Sequence, residues 1–283
     1  MPDLAFLICI LCSTKSKSMK NLFFVLFCLM TFSVFAQDDD AQMYLHFQWV
    51  SVDNEQEYAY AHTEDFWSKI HQERANMGDI VGWDLWSLQP HGEKQSSQYL
   101  IVEVYSDPVK MMDGSAWKNL YKAAEAAYPE MSSYDLMTKM RKSSHTRDLA
   151  YDQYCVLLGG TDSDFEMEEG TVSRINFMKV EEGNREAYES AEMNVFLPMH
   201  QKSANEGRRG SWGLASVMVP WGTDVHANYL TFDMYTDYAQ MFSENDGMDE
   251  PSADMQAKMN EAIALRELKW GVMGTLVKKV RKQ

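Results

Sequence analysis

The chain has 283 residues, with 42 acidic side chains against 26 basic ones and a net charge of −16. A surface so acidic repels phosphate backbones and anionic membranes, which sets nucleic acid aside as a partner. Cys9, Cys12 and Cys28 crowd the N-terminus and only Cys155 lies beyond them. The folded part is therefore expected to have no internal disulfide and to be held together by burial.

Taken in chain order, Met19-Lys20-Asn21 opens an apolar run over residues 22–35 that ends in Val34-Phe35-Ala36 before Gln37. A lysine, a short apolar stretch and small residues at the cleavage point are the pattern of an export signal. The stretch is shorter than the roughly 20 residues of a membrane span. Residues 1–36 are therefore expected to be a cleaved leader with its true start at Met19, and the protein to be periplasmic or extracellular with no membrane span. Losing three lysines and one aspartate with the leader takes the net charge from −16 to −18.

Residues 37–158 read as a first unit. Leu45, Phe47 and Trp49 alternate with His46, Gln48 and Val50, which predicts a strand over residues 43–52. Apolar positions at helical spacing follow over residues 55–77, with Gly78 placed for a left-handed cap. Strands are predicted over residues 80–88 and 98–106. Asp107-Pro108 then starts helical sequence running to about residue 149, interrupted near Pro129, before a short strand over residues 153–158. Residues 159–170 form an acidic, glycine-bounded linker. Residues 171–283 repeat the order: strand 172–180, helix 184–206, strands 211–218 and 228–235, helical sequence 238–268 and strand 272–280.

The repetition extends to residues. His71-Gln72-Glu73-Arg74-Ala75-Asn76-Met77-Gly78, followed by Trp83 and Leu85, is mirrored by His200-Gln201-Lys202-Ser203-Ala204-Asn205-Glu206-Gly207, followed by Trp212 and Leu214. Seven of fifteen positions are identical at an offset of 129 residues, and Tyr99 to Asp107 matches Tyr229 to Asp237 at an offset of 130. Each copy is strand-helix-strand-strand-helix-strand, a ferredoxin-like βαββαβ unit with helices on one face of its sheet. Two such sheets shield each other's bare faces. The expected fold is α+β, a pseudo-dimeric α/β barrel in one chain, monomeric or weakly dimeric.

In this order of elements and this duplication the chain resembles the dimeric α/β-barrel superfamily, which includes antibiotic-biosynthesis-monooxygenase-like and NIPSNAP-like domains and the fused chlorite-dismutase-like haem proteins. The resemblance spans nearly all of residues 42–281. It implies the fold; no catalytic motif of the group stands in this sequence, and one fold carries many functions.

Several residues could carry chemistry. In the third strand of each unit Leu100, Val102 and Val104, like Leu230, Phe232 and Met234, alternate with a tyrosine and carboxylate set that includes Glu103, Tyr105, Asp233 and Tyr235. The apolar set is expected to face the helices and the polar set the barrel interior, as ligand-binding groups or as a network locking the sheets. His71 and His200 follow Trp67 and Phe196 by four residues, which stacks ring on ring along a helix. They are the candidate catalytic bases or, alternatively, structural hydrogen-bonding groups at a helix end. Asn76 and Asn205 sit in helix-ending turns and are either turn-capping groups or candidate ligand-binding groups beside the histidines, and Trp83 and Trp212 on the second strand are either core or stacking platforms for an aromatic ligand. Methionines in the second helices suggest a soft apolar pocket between helices and sheet. No histidine pair has metal-ligand spacing, so no metal and no cofactor is expected, a haem on a lone helical histidine being the weak exception. Pro198 stands where the first unit has Lys69, so the second unit's helix should bend. The reading is an exported protein binding a small apolar or aromatic molecule, against two rivals: a cofactor-independent monooxygenase or isomerase, and a structural or interaction protein of the cell envelope.

Overall fold

The structure is a computed structural model, and it describes residues 42–92, 95–246 and 250–283. The expected leader, residues 1–36, lies outside the described residues. Strands β1 (Tyr44–Ser51), β2 (Gly82–Gln89), β3 (Tyr99–Tyr105) and β4 (Asp148–Gly160) come from the first copy. Strands β5 (Val172–Val180), β6 (Ser211–Val219), β7 (Tyr229–Tyr235) and β8 (Arg266–Arg281) come from the second. All pairings are antiparallel, and they close a barrel in the order β1-β3-β2-β8-β5-β7-β6-β4, with β4 returning to β1. Each copy's last strand pairs with its own first strand and with the second strand of the other copy. The two halves thus share backbone hydrogen bonds at both seams as well as a core.

Helix α1 (Glu57–Asn76) covers the first half-sheet, burying Tyr60, Phe66, Ile70, His71, Arg74 and Ala75. It ends where Gly78 takes φ of +76° and Asp79 N–H bonds back to Arg74 O at 2.9 Å. The second copy repeats this with Gly207 at φ +71° and Arg208 N–H to Ser203 O at 3.0 Å, so the Asn-x-Gly signal is the helix-ending turn it resembles. Asp107 caps α2 (Pro108–Met112) by accepting from Val109 N–H at 2.8 Å, and Asp237 caps α7 (Tyr238–Ser243) through Gln240 N–H at 2.8 Å. Between these lie α3 (Leu120–Ala127), α4 (Ser133–Lys142), α5 (Arg185–Ala191) and α6 (Leu197–Asn205), and α8 (Ala253–Ile263) follows α7. A π-helical turn, Glu192–Phe196, separates α5 from α6 immediately before Pro198. The irregularity expected of that proline takes this form because the widened turn absorbs the missing amide donor.

Three expectations are corrected. The helical sequence of residues 107–149 and 238–268 is a series of short helices, and both segments end early. Strand β4 begins at Asp148 and β8 at Arg266, so Leu149 and Leu268 lie in strands. A strand paired on both sides collects backbone partners that no local pattern announces. Gly159 and Gly160 belong to β4, and the connector proper starts at Thr161.

The third correction concerns which face is which. Leu100, Val102, Leu230 and Phe232 form one core with Phe47, Trp86, Ile175 and Leu276, drawn from strands of both copies: this is the barrel interior, and Val104 and Met234 pack against it. The set holding Glu103, Tyr105, Asp233 and Tyr235 lies on the outer face, under the helices, where Ile101 and Tyr105 pack with Tyr60 and Ala75 of α1. Long basic side chains reach a buried carboxylate from the helix layer, whereas apolar strand residues dominate the inside of the barrel; the carboxylates therefore go outward.

Candidate functional site

Glu103, 1% exposed, is the centre of the layer beneath α1. Arg74 Nη1 donates to its Oε1 at 2.5 Å and Tyr105 O–H to its Oε2 at 2.6 Å, while His46 Nδ1 stands 3.6 Å from Oε2. Arg74 Nη1 also lies 2.9 Å from His71 Nδ1. A guanidinium only donates, so Nδ1 of His71 must hold its lone pair there and the ring proton belongs on Nε2. The His71 ring stacks on Trp83 at 4.9 Å and on Trp67 at 5.7 Å between centroids, and the Arg74 guanidinium lies 3.9 Å over the Trp117 ring.

The second copy builds the same unit. His200 stacks on Trp212 at 4.8 Å, and its Nδ1 accepts from Arg209 Nη1 at 2.7 Å. Arg209 also donates to Asp233 and to Glu244, reaching the latter through Nε at 2.8 Å. Tyr235 O–H donates to Glu244 Oε2 at 2.8 Å, and Asn176 donates to Asp233 Oδ2 at 3.2 Å. Eight residues named from the sequence meet in these two clusters: His71, Trp83, Glu103 and Tyr105, and His200, Trp212, Asp233 and Tyr235, although the expected place of the carboxylates and tyrosines is inside the barrel.

Asn76 and Asn205 stand apart from both clusters. Asn76 Oδ1 accepts from Gln72 at 3.2 Å and from the backbone of Gln283 at 3.2 Å, and Asn205 Oδ1 accepts from Gln201 at 2.9 Å.

The electrostatics follow from burial and partners. Burial by itself would raise the Glu103 carboxyl, but the Arg74 charge and the donors His46 and Tyr105 outweigh it and hold Glu103 well below the usual carboxylate range. Burial and the neighbouring guanidinium push both His71 and His200 down to about 3. His46 goes the other way: burial lowers it, but the hydrogen bond to Asp152 (2.5 Å from Nε2) and the Glu103 carboxylate 3.6 Å from Nδ1 win and raise it to about 9. Asp233 is raised by burial, with Glu244 competing for the same Arg209 charge. A histidine whose Nδ1 already accepts from a guanidinium is a poor general base at that nitrogen. Each imidazole thus accepts at Nδ1 from a guanidinium inside an ionic cluster.

Arg74, Arg209, Glu244, His46 and Asp152 were not singled out by the sequence. A usable signal existed for one of them: Arg74 stands three residues after His71, one helical turn along the buried face of α1. Among the described residues, no group of three or more His, Cys, Asp or Glu side chains is arranged to hold a metal ion. No described helix is long and apolar enough to cross a membrane.

An apolar cavity lies inside the barrel instead of between sheet and helices. Its volume is about 310 Å³, and Leu45, Phe47, Trp86, Leu100, Val102, Val104, Phe232 and Met234 line it. Phe165 and Met167 of the connector line it too. Beside them Asp84, buried among the strands, takes both Nη1 (2.7 Å) and Nη2 (2.9 Å) of Arg281, and Lys279 Nζ donates to Met167 O at 2.7 Å. The basic C-terminal segment is thus partly folded into the barrel mouth.

No protein-family model matches the sequence, and no curated protein does. Solved structures do. A candidate monooxygenase from Lactobacillus acidophilus superposes with a TM-score of 0.52 at 9% identity, over 85% of this chain and 97% of that one. One from Fusobacterium nucleatum gives 0.51 at 14% identity, over 85% and 94%. An anthrone oxidase-like protein gives 0.50 at 10% identity, over 86% and 94%. The chain has the dimeric α/β-barrel fold. At such identities the likeness reaches no further than the fold, and in this barrel both halves are supplied by one polypeptide.

Proposed function

We propose that this is an exported binding protein that holds a small apolar molecule inside its barrel, at the end lined by the connector. The observation that carries the reading is the cavity of about 310 Å³ walled by aliphatic and aromatic side chains of both copies. That volume falls at the lower edge of the roughly 300–1,000 Å³ usual for small-molecule sites. The lining is mostly apolar: the Asp84–Arg281 pair is self-satisfied and Ser173 and Ser211 supply the hydroxyls on its wall, so the ligand class is neutral and largely apolar. Export rests on the sequence of residues 19–36.

The test is a titration with the neutral fluorescent probe N-phenyl-1-naphthylamine. The expected result is saturable binding that is diminished by Val102→Phe, which fills the cavity while its melting curve stays cooperative. Undiminished probe binding by a folded V102F protein would overturn the reading.

A further inference from the structure

The opposite end of the barrel carries a second, larger cavity, of about 630 Å³, formed where the β2–β3 and β6–β7 loops meet the first residues of β4 and β8. Its chemistry differs from that of the connector end. Trp49, Phe177 and Trp270 line it and form a chain of rings, with centroids 5.2 Å apart from Trp49 to Phe177 and again from Phe177 to Trp270. Gln153, 1% exposed, lines it too and accepts from Trp49 Nε1 at 3.0 Å. An indole N–H only donates, so this bond fixes the Gln153 amide with its oxygen toward Trp49 and its NH2 as the group it can offer a ligand.

Ser97 supplies the second polar group. It lines the same cavity and is 3% exposed, and its hydroxyl has no hydrogen-bond partner among the described residues. A buried hydroxyl left without a partner is costly, and a wall that keeps one is short of a ligand atom. At the rim, Lys269 is held by Glu267 at 2.9 Å, so the cavity presents no uncompensated lysine to an anion, and the chain as a whole is strongly acidic.

We infer that this cavity is a second binding site, taking a neutral planar aromatic molecule with a hydrogen-bond-accepting oxygen. The rings stack against the Trp49, Phe177 and Trp270 surfaces, and the oxygen accepts from Ser97 O–H and the Gln153 amide. The connector-end cavity also holds a buried unpartnered hydroxyl, that of Ser173, but no amide side chain lines it, so the pairing of Ser97 with the Gln153 amide is what distinguishes this site.

The experiment compares three probes by calorimetry on the whole protein: 2-acetylnaphthalene, which has the ring and the acceptor; naphthalene, which has only the ring; and 2-naphthoate, which is anionic. The ketone is expected to bind tightest. Ser97→Ala removes an unpartnered group, so it should fold with an unchanged or higher melting temperature and weaken the ketone about five- to tenfold while leaving naphthalene alone. Val102→Phe, which fills the other cavity, is expected to leave ketone binding intact, so failure of the two proposals is separable. Equal ketone affinity in S97A and the parent protein, tighter binding of the naphthoate, or loss of ketone binding in V102F would overturn the inference.

Discussion

Arg74 and Arg209 occupy non-equivalent positions of the repeat, yet both set Nη1 against the equivalent carboxylates Glu103 and Asp233 and against the equivalent histidines. The counterpart of Arg74 in the second copy is Ser203, and that of Arg209 in the first is Ile80. What the two copies share is therefore a requirement for a guanidinium at one point in space, met from the helix in one copy and from the loop after it in the other. Grafting the second solution onto the first is a direct check. Arg74→Ser should strongly destabilise the protein, and adding Ile80→Arg should recover part of the loss in a denaturant titration; a double variant no more stable than R74S would refute the equivalence.

The same cluster makes a sharper thermodynamic prediction. Arg74→Met strands the Glu103 charge in a layer where it is 1% exposed, which costs on the order of 3–5 kcal/mol. Adding Glu103→Gln removes the stranded charge, so R74M/E103Q is expected to be more stable than R74M alone. The comparison is read from chemical denaturation midpoints, and additive losses would count against a paired charge.

The histidines set opposite ends of the pH profile. His71 and His200 are held at about 3 in the folded protein against 6.5 unfolded, so the unfolded chain takes up protons first and stability falls as pH drops from about 6.5 towards 3. His46 is raised to about 9, so its contribution is complete below about 6.5 and is lost as pH rises through 9. Thermal melts across pH should show both slopes, and His46→Gln should flatten only the alkaline one.

Gly210 packs against Phe165, which lines the connector-end cavity. A Cβ there would stand 2.5 Å from the ring of Phe165, and its backbone does not have the positive φ that would strain an alanine. Gly210→Ala is expected to push Phe165 outward and speed entry of N-phenyl-1-naphthylamine in stopped-flow fluorescence, with a stability loss of about 1–3 kcal/mol. Unchanged entry kinetics would mean that Phe165 does not gate the cavity.

The sequence by itself determined the duplication, the order of elements in each copy, the helix-ending turns at Gly78 and Gly207, and the closure of two half-sheets into one barrel. These rest on local periodicity and on matching residues, which a linear chain displays openly. It also named most of the two clusters, because His71, Trp83, Glu103 and Tyr105 recur in the second copy. Only the tertiary structure decided which strand face turns inward, since period-two alternation distinguishes two faces without labelling them. It alone supplied Arg74 and Arg209, whose unlike places in the repeat hide their common role. And it moved the cavity from the helix layer into the barrel, because stacked rings and ion pairs fill the space under the helices while the strands leave the interior to apolar side chains.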